Sequence, residues 1–410
     1  MGFRSLVAAL AATAVVPATA MATDLEVTHW WTSGGEAAAV AELAKAFDAT
    51  GNHWVDGAIA GGGSTARPIM VSRILGGDPM AATQFNHGRQ AEELVQEGLM
   101  RDLTDVATRE DWTKVINPPS LLENCTLDGK IYCVPINIHS WEWLWLSAQA
   151  FKDAGVPVPT NWAEFVAAGD ALRAAGKQPL ALGQQPWQAT GLFSTLVLSL
   201  APDGLYEKVF ADKDAEAAAS PEMAEIFKAL GDARTLATGS TMQDWNQATN
   251  LVITGQAGGQ VMGDWAQGEF QVAGQTAGKD YVCLPALGVG KRLGAGGDAF
   301  YFPLLKDADK SAAQEVLAST LLKPETQVAF NLKKGSLPVR GDVDLGAAND
   351  CMKKGLAIIG GGGVVKSTDS LVSPDTTTQL NDLFSAFFNT PSMTLEQVQA
   401  SFSEIIASAD

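Results

Sequence analysis

The residues in this chain best suited to chemistry are tryptophans with acids, amides or glycines beside them. The chain holds 11 tryptophans. Trp30 and Trp31 follow the first predicted strand, in HWWTSGGE, while Trp245 and Trp265 come much later, in QDWN and GDWA. An indole face can lie flat against the C–H surface of a sugar ring, and its N–H needs a partner when buried. With carboxylates and amides beside them, these residues point to a polyhydroxylated ligand held between two distant parts of the chain.

HWWTSGGE, residues 29–36, is the sharpest motif. A turn from a strand end into a helix start is where open α/β sheets bind ligands. The free N–H groups of a helix start receive hydroxyls or anions. Successive residues of a strand point to opposite faces, so Trp30 and Trp31 cannot both be core if the strand continues. That favours binding roles for both, and for Glu36, over a Glu36 that merely complements the helix dipole. AATQFNHGR places Gln84, Asn86 and His87 at another strand end. Amides offer hydroxyls both donors and an acceptor, although a polar loop capping the next helix explains these three equally well.

INIHSWEWLWL contributes Asn137 and His139. Its tryptophans, Trp141, Trp143 and Trp145, alternate at period two and read as one strand face, which is more often packing than binding. Asp298 follows two glycines at a strand start. Lys333 and Lys334 stand at a predicted helix end, where cations complement the dipole. GGGSTARP, residues 61–68, looks like a phosphate loop but lacks the Lys-Ser/Thr ending, so a turn is the better reading, with Ser64 or Thr65 available to line a cleft.

Signs of turnover are sparse. There is no G-x-S-x-G elbow, no H-E-x-x-H helix and no dinucleotide fingerprint. No carboxylate pair is fixed at the separation a glycosidase needs. His29, His53, His87 and His139 do not fall at metal spacing. The chain therefore reads as a binder rather than an enzyme, with no cofactor and no metal.

The elements that must position these residues alternate in type. Strands are expected over 25–29, 54–59 and 81–85, and helices over 36–49, 65–75, 162–176, 221–238 and 311–322, which is α/β layering. Residues 134–145 read as one long strand crossing between two lobes, and the glycine run 360–363 as a flexible loop. Thr160 or Asn161 should cap the helix that follows. Residues 1–22 read as a cleavable leader: Arg4, an apolar stretch from Leu6 to Val16, then Ala20-Met21-Ala22. The stretch is too short for a stable membrane span, so a periplasmic location is expected. The remainder has the length of two domains. A net charge of −18 argues against nucleic acid and against an anionic membrane surface. Four cysteines in an exported chain favour disulfides. Cys125 and Cys133 flank LDGK, an Asp-Gly hairpin, and are paired here; Cys283 and Cys351 then pair by default.

HWWTSGGE, VDGAIAGGG, PINIHSWEWLW, GQQPWQ, QDWNQAT, GQVMGDWAQGEF, KDYVCLPALG and NLKKGSLPVR together resemble the periplasmic solute-binding proteins of ABC sugar importers, especially the glucose-type branch. The resemblance covers nearly the whole mature sequence. It implies a type II-like two-lobe α/β fold with hinge strands and a ligand cleft between lobes. The first lobe would comprise 23–136 and 298–342, and the second 137–297 and 343–410. It implies that Trp30, Trp31 and Glu36 form one wall, that Trp245, Trp265, Asp298 and Lys334 are further binding positions, and that Cys283–Cys351 is the family's usual disulfide. Two positions depart from the pattern. The family's Lys near Gln84–Gly88 is replaced by Asn86-His87, and its His-Gly contact falls where this chain reads GGGVVKSTDS, with Lys366 or Ser367 standing in. The implied activity is reversible binding of a glucose-like aldose, hinge closure and delivery to membrane permease subunits by a monomer. The rivals are a secreted carbohydrate-active enzyme and a binder of an oligosaccharide or charged solute.

Overall fold

The computed structural model describes residues 22–410. Apart from Ala22, the expected leader lies outside the described residues. Among the described residues no helix is long and apolar enough to cross a membrane.

Two sheets organise the chain. The first has the strand order His53–Ala58, Asp24–His29, Ala82–Asn86, Asp298–Tyr301, Cys133–Pro135. Its first three strands are parallel, joined by crossover helices Gly34–Asp48 and Gly63–Leu75, whereas Asp298–Tyr301 enters antiparallel from far along the chain. The second sheet has the order Tyr281–Pro285, Trp143–Ser147, Ala257–Val261, Gln178–Leu180. Each sheet carries its own core. Leu25, Val27, Leu43, Phe47, Phe300, Leu317 and Phe330 fill the first. Leu144, Leu146, Phe165, Phe193, Phe227, Phe384 and Phe402 belong to the second, where Phe193 stacks on Phe384 at 4.2 Å between ring centroids. Such apolar burial is the main stabilising term in each lobe, about 1.5–3 kcal/mol per large side chain.

The two lobes are joined where the chain crosses between sheets: after Pro135, before Asp298, and after Pro338. Short pairings bind the crossings together. Asn137–Ile138 pairs antiparallel with Leu337–Pro338, and His139 bridges Gly296.

Several expectations change in detail. The single strand expected over 134–145 is three pieces: Cys133–Pro135, Asn137–Ile138 and Trp143–Ser147. The chain must leave one sheet and enter another, and it turns at 139–142. There the Ser140 N–H donates to Asp264 (3.0 Å) and the Trp143 N–H to the Trp141 carbonyl (2.8 Å). Trp143 and Trp145 remain core and stack at 5.6 Å, but Trp141 turns away from them. The helix expected over 162–176 is two, Trp162–Ala167 and Gly169–Ala174, with the backbone of Gly169 packed directly on Leu236. Asn161 is its cap, accepting the Glu164 N–H. The loop expected at 360–363 begins later, because Asp350–Gly360 is helical.

Both disulfides form, Cys125–Cys133 and Cys283–Cys351. The first closes the hairpin Thr126–Ile131, whose Asp128 and Gly129 have φ of 50° and 77°, as an Asp-Gly turn of this kind requires. The second ties the strand Tyr281–Pro285 to the helix Asp350–Gly360.

Candidate ligand-binding cleft

A cavity of about 390 Å³ lies between the lobes. On the first-lobe side the strand Asp24–His29 delivers Trp30 and Trp31 to the start of the helix Gly34–Asp48. Ser33 caps that helix by accepting the Glu36 N–H. Glu36 Oε1 lies 2.7 Å from Lys334 Nζ, and both side chains are buried. Lys334 ends the helix Pro324–Lys334; its charge therefore answers Glu36 as well as the helix dipole. The Gly35 N–H donates across to Glu269 Oε1 of the second lobe at 2.7 Å.

Asp298 is the most heavily engaged group in the wall. Its carboxylate accepts from Gln84 Nε2 (2.7 Å) and Asn137 Nδ2 (2.9 Å), and its N–H donates to Asn137 Oδ1 (2.7 Å). His139 Nδ1 lies 3.4 Å from the same carboxylate. Burial works to raise the Asp298 pKa, but the His139 charge and these hydrogen bonds prevail and hold it well below the usual carboxylate range. Burial likewise works to lower the His139 pKa, and the Asp298 charge overcomes it, leaving His139 raised. Gln84 also accepts the Trp30 N–H at 2.9 Å, so one buried amide fixes both Trp30 and Asp298. Behind this cluster Asp264 and Glu142 are fully buried carboxylates, each raised to about 7 chiefly by desolvation.

The second lobe faces this wall with indoles. Trp187, Trp141, Trp265 and Trp245 run in a chain of edge-on contacts, with centroids 5.4, 4.8 and 6.5 Å apart in that order. His139 meets Trp265 at 5.1 Å. Two glycines make room: a Cβ on Gly191 would sit in the Trp141 ring, and one on Gly263 in the Trp265 ring.

The cavity brings together Trp30, Trp31, Glu36, Asn86, His139, Trp245, Trp265, Asp298 and Lys334 among the residues singled out in the sequence, and of the pair Ser64 and Thr65 it is Ser64 that lines it. Trp31 shows it little more than an edge, being 1% exposed and packed on Phe300 and Phe330. Five others lie elsewhere. Gln84 and Asn137 are wholly buried and hold Asp298 from behind. His87 is also buried, contacts Asn124 through Nδ1 at 3.1 Å, and is lowered to about 4 by burial and then by the His139 charge. Lys366 is exposed near Glu123, at 3.9 Å. Ser367 takes the N-cap position of the helix Thr368–Leu371, and its neighbours Thr368 and Asp369 line the cavity instead. Lys366 and Ser367 thus lie outside the cavity lining, and the side chains that reach it are those of the next two residues, Thr368 and Asp369.

Sequence reasoning passed over Arg67, Gln185, Trp187, Asp244 and Asp369 and assigned Trp141 to packing, whereas all six line the cavity. Arg67 stands inside GGGSTARP and Trp187 inside GQQPWQ, so their segments were in view. Asp244 carries a readable signal, a capping box with Gln247 at the start of the helix Trp245–Ile253.

The model of the bacterial extracellular solute-binding protein family matches residues 31–328. The chain belongs to that family. It is 40% identical over 336 residues to a probable sugar-binding periplasmic protein of Brucella melitensis, covering 82% of this chain and 79% of the relative. Among solved structures, the bacterial solute receptor AcbH, described with an exclusive preference for β-D-galactopyranose, superimposes with a TM-score of 0.76 at 22% identity, covering 93% of this chain and 98% of the other. A chitin oligosaccharide binding protein does so at 0.75 and 19% identity, covering 95% and 99%. At these identities the structural matches speak for the two-lobe fold.

Proposed function

We propose that this family member is the periplasmic sugar-binding component of an ABC importer, and that the cleft holds a glucose-like aldose of monosaccharide size. The observation that carries the reading is the opposition of two unlike walls: fixed carboxylate, amide and ammonium groups on one side, and four indoles on the other. A pyranose presents the matching pair of surfaces, hydroxyls around its rim and C–H bonds on its faces. The cavity volume falls at the low end of the roughly 300–1,000 Å³ range of small-molecule sites, which favours a monosaccharide over a long oligosaccharide.

In this reading Trp265 or Trp245 lies against a pyranose face and Trp30 closes an edge. Glu36 and Asp298 accept hydroxyl protons in charge-assisted bonds, and Lys334 and His139 donate. A ligand without a matching hydroxyl leaves one of these buried groups unpaired, which is costly. The lobes drawn at 23–136 with 298–342, and 137–297 with 343–410, close about the crossings by a hinge motion. A ligand that bridges both walls favours the closed state because it gains contacts only there, and membrane permease subunits then receive that form from a monomer. Binding without turnover separates this reading from a secreted carbohydrate-active enzyme. The test is a thermal-shift and calorimetric screen of the mature chain against monosaccharides, disaccharides, amino acids and polyamines. Stabilisation should rise as ln(1 + [L]/Kd) for one or a few sugars, recovered unchanged. Stabilisation by a charged amine alone, or consumption of a sugar, sinks the reading.

A further inference from the structure

Arg67 is a cation inside the cleft to which no other side chain is hydrogen-bonded among the described residues. It sits in the second turn of the helix Gly63–Leu75 and lines the cavity. Its guanidinium carbon lies 5.8 Å from the centroid of the Trp30 ring. Among the described residues it makes no hydrogen bond and no ion pair; Asp369 acts on it only through space. That carboxylate is itself engaged by Asn86 Nδ2 at 2.8 Å. Lys334, the neighbouring cation in the cavity, is by contrast paired with the Glu36 carboxylate. Burial pulls the Arg67 pKa below its ordinary value, with Asp369 offsetting part of that. A guanidinium carries five N–H donors in a planar fork suited to a carboxylate, and at this half-buried position in the cavity wall they remain available to a ligand.

The backbone beside Arg67 has the same preference. Gly61, Gly62, Gly63 and Ser64 line the cavity, and Gly62 is the N-cap of the Arg67 helix, with no side chain to satisfy its first N–H groups and no acid in the first turn. The Thr65 N–H is taken by the Gly62 carbonyl at 3.1 Å, but the Gly63 and Ser64 N–H groups have no partner within the helix, and the dipole makes the site attractive to an anion. Two independent donors, a side chain and a helix start, thus meet in one corner, beside a ring able to take a sugar face.

We infer that this corner seats a carboxylate carried by the ligand, so that the cleft selects a sugar acid of the uronate class over the matching neutral aldose. The inference rests on the sugar-binding reading and deepens it. One unpaired guanidinium calls for one negative charge. A phosphate dianion fits less well, because Asp244 and Asp369 line the same cavity. The pyranose ring keeps the wall contacts already described, and its C6 carboxylate points to Arg67 and the Gly61–Ser64 turn.

The test is titration calorimetry of the full mature chain with D-glucuronate, D-galacturonate, D-glucose, D-galactose and D-glucose 6-phosphate, repeated with Arg67→Met and Arg67→Lys, whose folding is checked by thermal melts. One uronate should bind at least about tenfold tighter than its neutral counterpart, since hydrogen bonds to a charged group are stronger than those to a neutral one. Arg67→Met should remove that preference, costing the uronate at least about tenfold more affinity than it costs the neutral sugar, and Arg67→Lys should restore part of it, a point charge replacing a bidentate fork. Uronate affinity should also weaken with added salt. A neutral aldose bound as tightly as its uronate, with Arg67→Met without effect, overturns this inference and leaves the sugar reading standing. Tightest binding of glucose 6-phosphate overturns the choice of carboxylate. No binding of any of the five overturns both.

Discussion

On the first-lobe side of the cleft the polar groups, Arg67 apart, are already engaged with one another; on the second-lobe side polar contacts are fewer and four indoles take their place. Asp298 is held by Gln84, Asn137 and His139, and Glu36 by Lys334. None of these needs to search for its orientation when a ligand arrives, so little ordering cost falls on binding. The indoles are held by edge-on contacts and by the space that Gly191 and Gly263 leave. The difference separates two jobs: the first wall discriminates between arrangements of hydroxyls, and the second supplies contact area with little regard to them.

The contrast can be broken most severely at Asp298. Asp298→Ala should weaken sugar binding by at least about 100-fold, because two or more charge-assisted bonds of roughly 1.5–3 kcal/mol are lost; calorimetry showing less than a tenfold loss would falsify the discriminating role of that wall. Glu36→Gln should act first on the fold. It leaves Lys334 buried opposite a neutral group, at a cost of about 3–5 kcal/mol, measured by denaturant unfolding without ligand. Trp265→Phe tests the other wall. It should reduce affinity roughly tenfold for all bound sugars alike, the loss expected of a smaller aromatic face, whereas a change in the ranking of sugars would mean that this wall discriminates too.

A pH series sharpens the comparison further. Asp264 and Glu142 are raised to about 7 in the fold, against ordinary values near 4 in an unfolded chain. The folded state therefore binds more protons, and the stability they contribute is present at low pH and lost as pH rises through about 7. The raised His139 works in the same direction. His87, lowered to about 4, opposes it between pH 4 and its ordinary value near 6.5, while Asp298 acts only in the acid range. The melting temperature should fall between pH 6.5 and 8, and Asp264→Asn should flatten that fall. The smallest effect belongs to Lys366→Ala. It is exposed and away from the cavity, so affinity should change by less than about twofold, in keeping with the weakness of exposed ion pairs.

How much of this could be read in the sequence differs between the walls. The first three strands and their helices were legible almost to the residue, because apolar periodicity alternates with turn glycines at each junction. The polar wall was legible for the same reason: its members stand at strand ends and helix starts, where function and local signal coincide. Burial was not. Gln84 and Asn137 look like Asn86 in sequence, and only the pairing of Asp298–Tyr301 with Ala82–Asn86 decides which side chains stay behind the wall. Trp141 shows the limit most clearly. Period two put it with Trp143 and Trp145, but the period holds only while the strand lasts, and the chain turns at residues 139–142 to change lobes. Lys366 and Ser367 came from family resemblance at a departure from its pattern, where spacing is least reliable.

The insertion of Asp298–Tyr301 between Ala82–Asn86 and Cys133–Pro135 has a consequence for how the molecule is made. A chain delivered from its N-terminus cannot complete the first sheet until residue 301 has emerged, long after that sheet's other four strands. Until then the edges of Ala82–Asn86 and Cys133–Pro135 lack their shared neighbour, and closing so long a loop is slow. The second lobe, whose four strands lie between residues 143 and 285, can form its sheet first. Assembly should therefore run from the middle of the sequence outward, and the polar wall, which needs Asp298 and Lys334, should be the last part of the cleft to appear.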